Sequence, residues 1–294
     1  MKELKKYNLT PAEGQALLNF QGRLYPETMN LFETDLVEEV KQKTEKLTEK
    51  EKELHPDFKN LLIQGDCLSA CAYLKSKDIK VDLVYIDPPF ASGANYAKKI
   101  YLRNGGKMSI ENDENSIGEE IMYSDIWQKE DYLNWLYERL LAIKEIMSEE
   151  ASIYLHLDWH IGAYAKVLMD EVFGEENFRN EIIWHYFVSG KYPNEFAKDH
   201  DNIYVYSKNK DATFNYEKQL DEYLYYEKYY NKQIVIGNDG KEYYEYNGEL
   251  RTFEKQVSET WNINKIKRDG KEIVGYNTQK PEAFVERIIK DSSD

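Results

Sequence analysis

Cysteine is scarce: only Cys67 and Cys71 occur in 294 residues. Their i, i+4 spacing puts both on one helix face, and two thiols alone neither complete a zinc site nor make a disulfide framework. No apolar run approaches the ~20 residues a membrane helix needs, which excludes a spanning segment of that kind. The lysines at 2, 5 and 6 are not followed by an apolar stretch, so a secretory leader is not expected, and a reducing cytoplasm is the expected compartment. Positive charge is also short. With 39 Lys and Arg against 54 Asp and Glu, the net charge is −15, which excludes a simple polyanion binder and requires any nucleic-acid partner to meet local basic patches. What remains, 41% hydrophobic and 32% charged residues, is the composition of a soluble globular chain long enough for one large α/β domain or two smaller ones.

The first 57 residues read as a helical N-terminal segment. From Glu33 to Leu54, Leu36, Val40, Leu47 and Leu54 recur at roughly helical spacing among dense charges. That pattern suits a solvated helix face, or an element for a partner or for assembly. His55-Pro56-Asp57 breaks it. Beyond lies an alternation of apolar strands and amphipathic helices. Leu61–Gln64 reads as a short buried strand leading into a helix over Cys67–Lys77. Val81–Asp87 reads as a strand, Asp131–Met147 as a helix, Ala151–Asp158 as a strand and Ile161–Phe173 as a helix. Further strands are expected at Glu181 and Asn202. This order predicts an α/β, doubly wound, mostly parallel sheet with helices on both faces, where ligands bind beyond the carboxyl ends of strands. Asp66, Asp87 and Asp158 all fall at such expected ends.

Two stretches interrupt the alternation. Ala91–Ser124 is rich in Gly and Asn and reads as a long functional loop. Between Asn209 and Thr260 the chain carries nine of its 25 tyrosines, and Asn238-Asp239-Gly240 signals a hairpin turn. We expect a small strand-rich lobe at 209–260 inserted into a main domain of 58–208 and 261–294. Its tyrosines suit either a recognition surface or an ordinary packed face.

The sharpest chemical signal is Asp87-Pro88-Pro89-Phe90 at the end of an apolar strand. A carboxylate and a proline-freed carbonyl can together accept both hydrogens of an NH₂ group while an aromatic ring stacks on a planar base, which favours the nitrogen becoming tetrahedral. Read alone, the four residues also fit a strand end closed by a proline turn. Thr278-Gln279-Lys280 before Pro281 suits a carboxylate held by a helix N-terminus and a lysine, or a plain helix capped by Thr278. His156, Asp158 and His160 offer no complete metal set, and a structural hydrogen-bonding role fits them better; no metal is expected. The runs Lys265-Ile266-Lys267-Arg268 and Lys98-Lys99 fit a cleft lining or ordinary surface equally.

Taken in order, VDLVYIDPPF, LLIQGD, HDNIYVYSKNK and NTQKPEAFVERIIK resemble the N6-adenine DNA methyltransferases of the permuted, beta-type order, including modification subunits of restriction–modification systems. The resemblance covers about Asn60 to Asp294. It implies that Asp87 and the Pro88 carbonyl grip the target N6 and that Phe90 stacks on an adenine flipped from double-stranded DNA, with Pro89 completing the motif. It also implies that Asp66, Thr278, Gln279 and Lys280 bind S-adenosylmethionine. Asp at the motif's first position favours adenine N6 over cytosine N4. A restriction subunit or a second methyltransferase protomer would be a further partner, and no membrane is involved. The chain departs from the family in two places: Ala91 stands where the family has Asn, and no F-x-G-x-G turn occurs before Asp294. The corresponding expectation is a truncated frame that binds the cofactor weakly alone, or a split-gene half that retains DNA binding and needs a complementing chain.

Overall fold

The computed structural model describes residues 5–12, 20, 22–39, 60–93, 95–101, 116–124, 128–188, 193–215, 234–236, 242–246, 249–252, 258–266, 270–274, 276 and 278–293. In chain order its elements are β1 (Lys5–Asn8), β2 (Thr28–Leu31), α1 (Cys67–Ser76), β3 (Val81–Ile86), β4 (Asn95–Tyr101), β5 (Ser116–Ser124), α2 (Lys129–Ile146), β6 (Met147–Leu157), α3 (Gly162–Phe173), β7 (Phe178–His185), β8 (His200–Ser207), β9 (Ile234–Ile236), β10 (Glu242–Tyr246), β11 (Glu249–Thr252), β12 (Thr260–Asn262) and α4 (Glu282–Ser292).

The centre is a five-stranded sheet in the order β12-β7-β8-β6-β3. β3 pairs parallel with β6, and β12 parallel with β7, whereas β8 runs antiparallel to both β6 and β7. Four strands therefore share one direction and β8 alone reverses it. This is the expected mostly parallel α/β sheet.

Strand alternation sorts the side chains into two cores. On β6, Ala151, Ile153, Leu155 and Leu157 join the buried faces of α2 and α3, while Tyr154 joins Ile203, Val205, Trp184, Trp261 and, from α4, Phe284 and Ile288. Helices thus cover both faces. The helix expected at Asp131–Met147 owes its place to this burial: Leu133, Leu136, Leu140 and Ile143 are all buried.

Several local expectations are overturned. Leu61–Gln64 forms no strand, and Leu61 and Leu62 are exposed; among the described residues the run pairs with no strand and the sheet ends at β3, so its apolar side chains gain no burial. Asp66 consequently stands at a helix start, accepting from Leu68 N at 2.9 Å as the cap of α1. The N-terminal segment, expected to be helical, contributes the antiparallel pair β1–β2. Residues 33–39 have no helix, Leu36 and Val37 are exposed, and 40–57 lie outside the described residues. Ala91–Ser124 is no mere loop: β4 and β5 pair antiparallel from Asn95↔Ser124 to Tyr101↔Ser116, a long-range pairing that local composition does not reveal. Within 209–260, β9, β10 and β11 form a three-stranded antiparallel sheet. The turn at 238–240 and the tyrosine run at 223–230 lie outside the described residues.

Candidate active site

β3 places Leu83 and Tyr85 on the α4 face and Val84 and Ile86 on the α2–α3 face, so Asp87, two residues beyond Tyr85, leaves the sheet on the α4 side. Pro88 and Pro89, both half-buried, end the ladder because neither can donate to it. Ala91 then turns the chain at φ 54, in the left-handed region.

From the far end of the chain, Lys280 reaches the same point. Its Nζ donates to Asp87 Oδ2 at 2.6 Å and lies 5.7 Å from the Phe90 ring centroid. The structure therefore brings Asp87, Phe90 and Lys280 together. The other expected site residues stand differently. Gln279 staples its own loop, its Oε1 accepting from Val274 N at 2.9 Å and its Nε2 donating to the Glu272 carbonyl at 2.8 Å. Thr278 is half-buried in the preceding turn and does not cap the helix: Pro281 occupies the cap position in extended conformation, and α4 starts at Glu282. Lys280, which precedes proline, is biased away from helical geometry, in keeping with a helix that starts only after Pro281. The cap comes from Glu272 instead, whose Oε2 accepts from Glu282 N at 3.0 Å. Asp66 pairs with Arg139 on α2 at 2.5 Å, and that guanidinium lies 4.4 Å from the Trp135 ring.

Behind Asp87 lies a buried hydrogen-bonded chain. Tyr85 Oη and His156 Nδ1 are 2.8 Å apart, His156 Nε2 and Asp201 Oδ2 3.1 Å, and Tyr186 Oη donates to Asp201 Oδ1 at 2.8 Å. Burial and the charges of Asp87 and Asp201 hold the Tyr85 phenol well above its ordinary range, so it remains a donor. Asp201 stays ionised: against burial, the bonds from His156 and Tyr186 and the charge of Lys265 hold its carboxyl below the usual value. Burial, first, and Lys280 lower the His156 imidazole, with Asp201 and Asp87 opposing. With Tyr85 donating to Nδ1 and Asp201 able only to accept, the network assigns the neutral tautomer with the proton on Nε2. His156 Nδ1 lies 3.8 Å from Asp87 Oδ1. Phe90, Trp184 and Phe284 enclose the ring at centroid distances of 5.6, 5.4 and 5.6 Å.

Asp158 does not join His156. It accepts from His160 N at 2.9 Å and contacts His160 Nδ1 at 2.7 Å, closing its own turn. Among the described residues no group of three or more His, Cys, Asp or Glu side chains could hold a metal ion. Of the basic runs, Lys265 stands over Tyr186 at 3.5 Å, while 267–268 and the side chains of 98–99 lie outside what is described.

Sequence reasoning missed Tyr85, Asp201 and Tyr186, named Lys265 only within a basic run, and gave His156 a structural hydrogen-bonding role, which its bonds to Tyr85 and Asp201 match. No sequence signal marked Asp201, whose place depends on strand direction. Because β8 is antiparallel, its first residues lie at the edge where β6 and β7 end, Asp201 opposite Trp184 and Ile203 opposite His156. An acid at the start of a reversed strand is equivalent to one at the end of a parallel strand.

Chemically, the site offers one carboxylate, proline-freed backbone, an aromatic ring and a cation at a strand end. The α4 N-terminus and Lys280 already engage the chain's own carboxylates, Glu272 and Asp87, so this donor set suits a carboxylate ligand.

Residues 81–294 match the N6_N4_Mtase family, described as DNA methylase. Among curated proteins, the chain is similar to the type III restriction-modification enzyme EcoP15I Mod subunit of Escherichia coli, 28% identical over 200 residues, covering 65% of this chain and 30% of that protein. It is similar also to the EcoPI Mod subunit of Escherichia phage P1, 29% identical over 201 residues with the same two coverages, 65% and 30%. The chain thus spans about 30% of the length of these relatives. A crystal structure of an M1.HpyAVI–SAM complex aligns with a TM-score of 0.43 at 14% identity, over 78% of this chain and 75% of that one.

Proposed function

The chain belongs to the DNA methylase family, and from that premise we propose that it transfers a methyl group from S-adenosylmethionine to adenine N6 in duplex DNA, as the modification component of a restriction–modification system. The observation that carries this reading is the carboxylate of Asp87 at the end of β3, followed by Pro88-Pro89-Phe90 and met by Lys280 at 2.6 Å.

The target base leaves the duplex, since its amine is otherwise paired and stacked, at a cost of about a few kcal/mol. Asp87 and the Pro88 carbonyl accept the two N6 hydrogens, and Phe90 packs on the base. The two acceptors favour localisation of the nitrogen lone pair, so they act most strongly in the transition state. S-adenosylmethionine supplies an electrophilic methyl. Lys280 and the N-terminal turn of α4 hold its carboxylate, a role their present carboxylate partners support. Asp66, within reach of Arg139, is proposed on the adenosine side of that pocket, with Thr278 and Gln279 shaping the loop between. After transfer the methylated nitrogen carries a positive charge and loses one proton to Asp87 or water.

Residues 209–260, which include the separate β9–β11 sheet, are proposed as the target-recognition lobe within a main domain of 58–208 and 261–294. The likeness to type III Mod subunits supports a restriction subunit as partner.

The test is to express the chain in cells lacking adenine methylation and to quantify modified nucleosides, with Asp87→Ala as control. N6-methyladenine that vanishes in the variant supports the reading. N4-methylcytosine would overturn the choice of adenine, and a mark that survives the substitution would remove Asp87 from the mechanism.

A further inference from the structure

We propose that His156 is a positioning residue for the Asp87 carboxylate: fixed by Asp201, its imidazole takes the Tyr85 hydroxyl and so leaves Asp87 Oδ1 open to an incoming amine. The proposal rests on the function given above. His156 is fully buried one residue before the end of β6, and both ring nitrogens are engaged, Nδ1 by Tyr85 at 2.8 Å and Nε2 by Asp201 at 3.1 Å. The second Asp201 oxygen is held by Tyr186 at 2.8 Å, which keeps the carboxylate from rotating away.

The consequence for Asp87 follows from what surrounds the ring. The charged or titratable groups facing it are Tyr85 and Asp87 from the β3 side, Asp201 from β8 and Lys280 from the loop before α4. Suppose Nδ1 gained a proton. Tyr85 could no longer donate to it, and the nearest carboxylate, Asp87 Oδ1 at 3.8 Å, would take the new N–H. With Lys280 on Oδ2 and His156 on Oδ1, Asp87 would have a cation on each oxygen, and the acceptor required by an adenine amine would be occupied. The arrangement works only while Nδ1 is bare, and the Asp201 partner enforces that tautomer by accepting from Nε2. The Phe90 ring packs directly on the imidazole, 5.6 Å between centroids, with Trp184 and Phe284 on its other sides at 5.4 and 5.6 Å.

A histidine that merely fills the core would alter stability when replaced and leave the pH dependence of catalysis alone. The experiment therefore compares single-turnover methyl transfer against pH for the full chain, His156→Asn and His156→Gln, on duplex DNA with S-adenosylmethionine. Asparagine places an amide oxygen near the Nδ1 position and takes up no proton. His156→Asn is expected to keep the neutral-pH rate within about tenfold and to shift the acid limb of the profile to lower pH. Glutamine reaches toward Asp201 and leaves Tyr85 unmatched; its rate is expected to fall on the order of 10- to 100-fold, the scale of an ångström-size misplacement, with the cofactor KM unchanged. Superimposable acid limbs in wild type and His156→Asn, or equal rate losses in the two variants, would overturn the proposal. A wild-type chain that transfers no methyl group counts against the proposed function instead. In that case ¹⁵N NMR of the wild-type imidazole still decides: a bare Nδ1 at neutral pH supports the assignment, and a protonated Nδ1 overturns it whatever the activity.

Discussion

Lys280 and Asp87 are 193 positions apart in the chain and 2.6 Å apart in space. The ion pair joins the loop before α4 to the end of β3, with the Asp87 side chain 27% and the Lys280 side chain 15% exposed. A cation that stands on the proposed amine acceptor and is also the proposed partner of the cofactor carboxylate ties the two halves of the site together. Replacing Lys280 by Met removes a charge-assisted hydrogen bond worth about 1.5–3 kcal/mol, so the cofactor dissociation constant should rise about 10- to 150-fold. Equilibrium dialysis with S-adenosylmethionine checks this, and unchanged affinity would exclude Lys280 from the cofactor site.

Ala91, immediately after the Asp87–Phe90 motif, has φ 54. A Cβ in the left-handed region costs about 1–2 kcal/mol, which glycine avoids at some entropic expense in the unfolded chain. Ala91→Gly should therefore leave stability unchanged or raise it by up to about 1 kcal/mol, and Ala91→Asn, whose side chain tolerates the same conformation, should raise it more reliably. Urea unfolding midpoints at constant m-value measure the difference; a loss of stability in both variants would show that the turn carries no strain.

The N-terminal hairpin is held to the helical layer by a buried ion pair. Arg23 Nη2 and Glu171 Oε1 are 2.6 Å apart with side chains 3% and 4% exposed, and the guanidinium lies 4.1 Å from the Tyr137 ring. Burial and Glu171 push the Tyr137 phenol up to about 12. Removing one partner strands the other charge away from water, so Glu171→Ala should cost about 3–5 kcal/mol. Replacing both residues with Met should recover much of that loss. A double-mutant cycle in chemical denaturation separates these outcomes.

Acid should weaken the fold in two stages. In the unfolded chain His156 takes up a proton near 6.5, while the folded chain resists it because burial lowers the group. The unfolded state then binds more protons, so stability is full above about pH 6.5 and falls by up to about 1.4 kcal/mol per unit below it, until the folded imidazole also protonates. Asp201 is held low in the folded state, so its contribution is present above about pH 3.9 and lost only as pH drops through its lower folded value. Denaturation midpoints between pH 8 and 5 should therefore decline in the wild type and flatten in His156→Asn.

Much of this was legible from residues alone, for reasons that differ by element. The short, nearly continuous apolar runs of β3, β6 and β8 and the periodic leucines of α2 encode their own burial, so element type and the α/β class follow from pattern. The Asp87–Phe90 motif and Lys280 stand out because prolines mark the strand end and the helix start. Leu61–Gln64 misled because apolarity alone cannot say whether a run is buried, and Leu61 and Leu62 are exposed. The hairpin within Ala91–Ser124 was hidden because its pairing joins residues far apart, and Thr278 was displaced as cap by Glu272, ten residues before the helix it serves.

The order of amino acids by itself determined which segments seek burial, where strands and helices stop, and that a carboxylate, two prolines and an aromatic ring would meet at one strand end. Only the tertiary structure decided that β8 would run backwards, bringing Asp201 beside His156, and that Lys280 would close on Asp87 rather than face solvent. Periodicity and capping are short-range properties written within a few residues. The direction of a strand and the partner of a charge depend on contacts across the sheet, which exist only once the chain has packed.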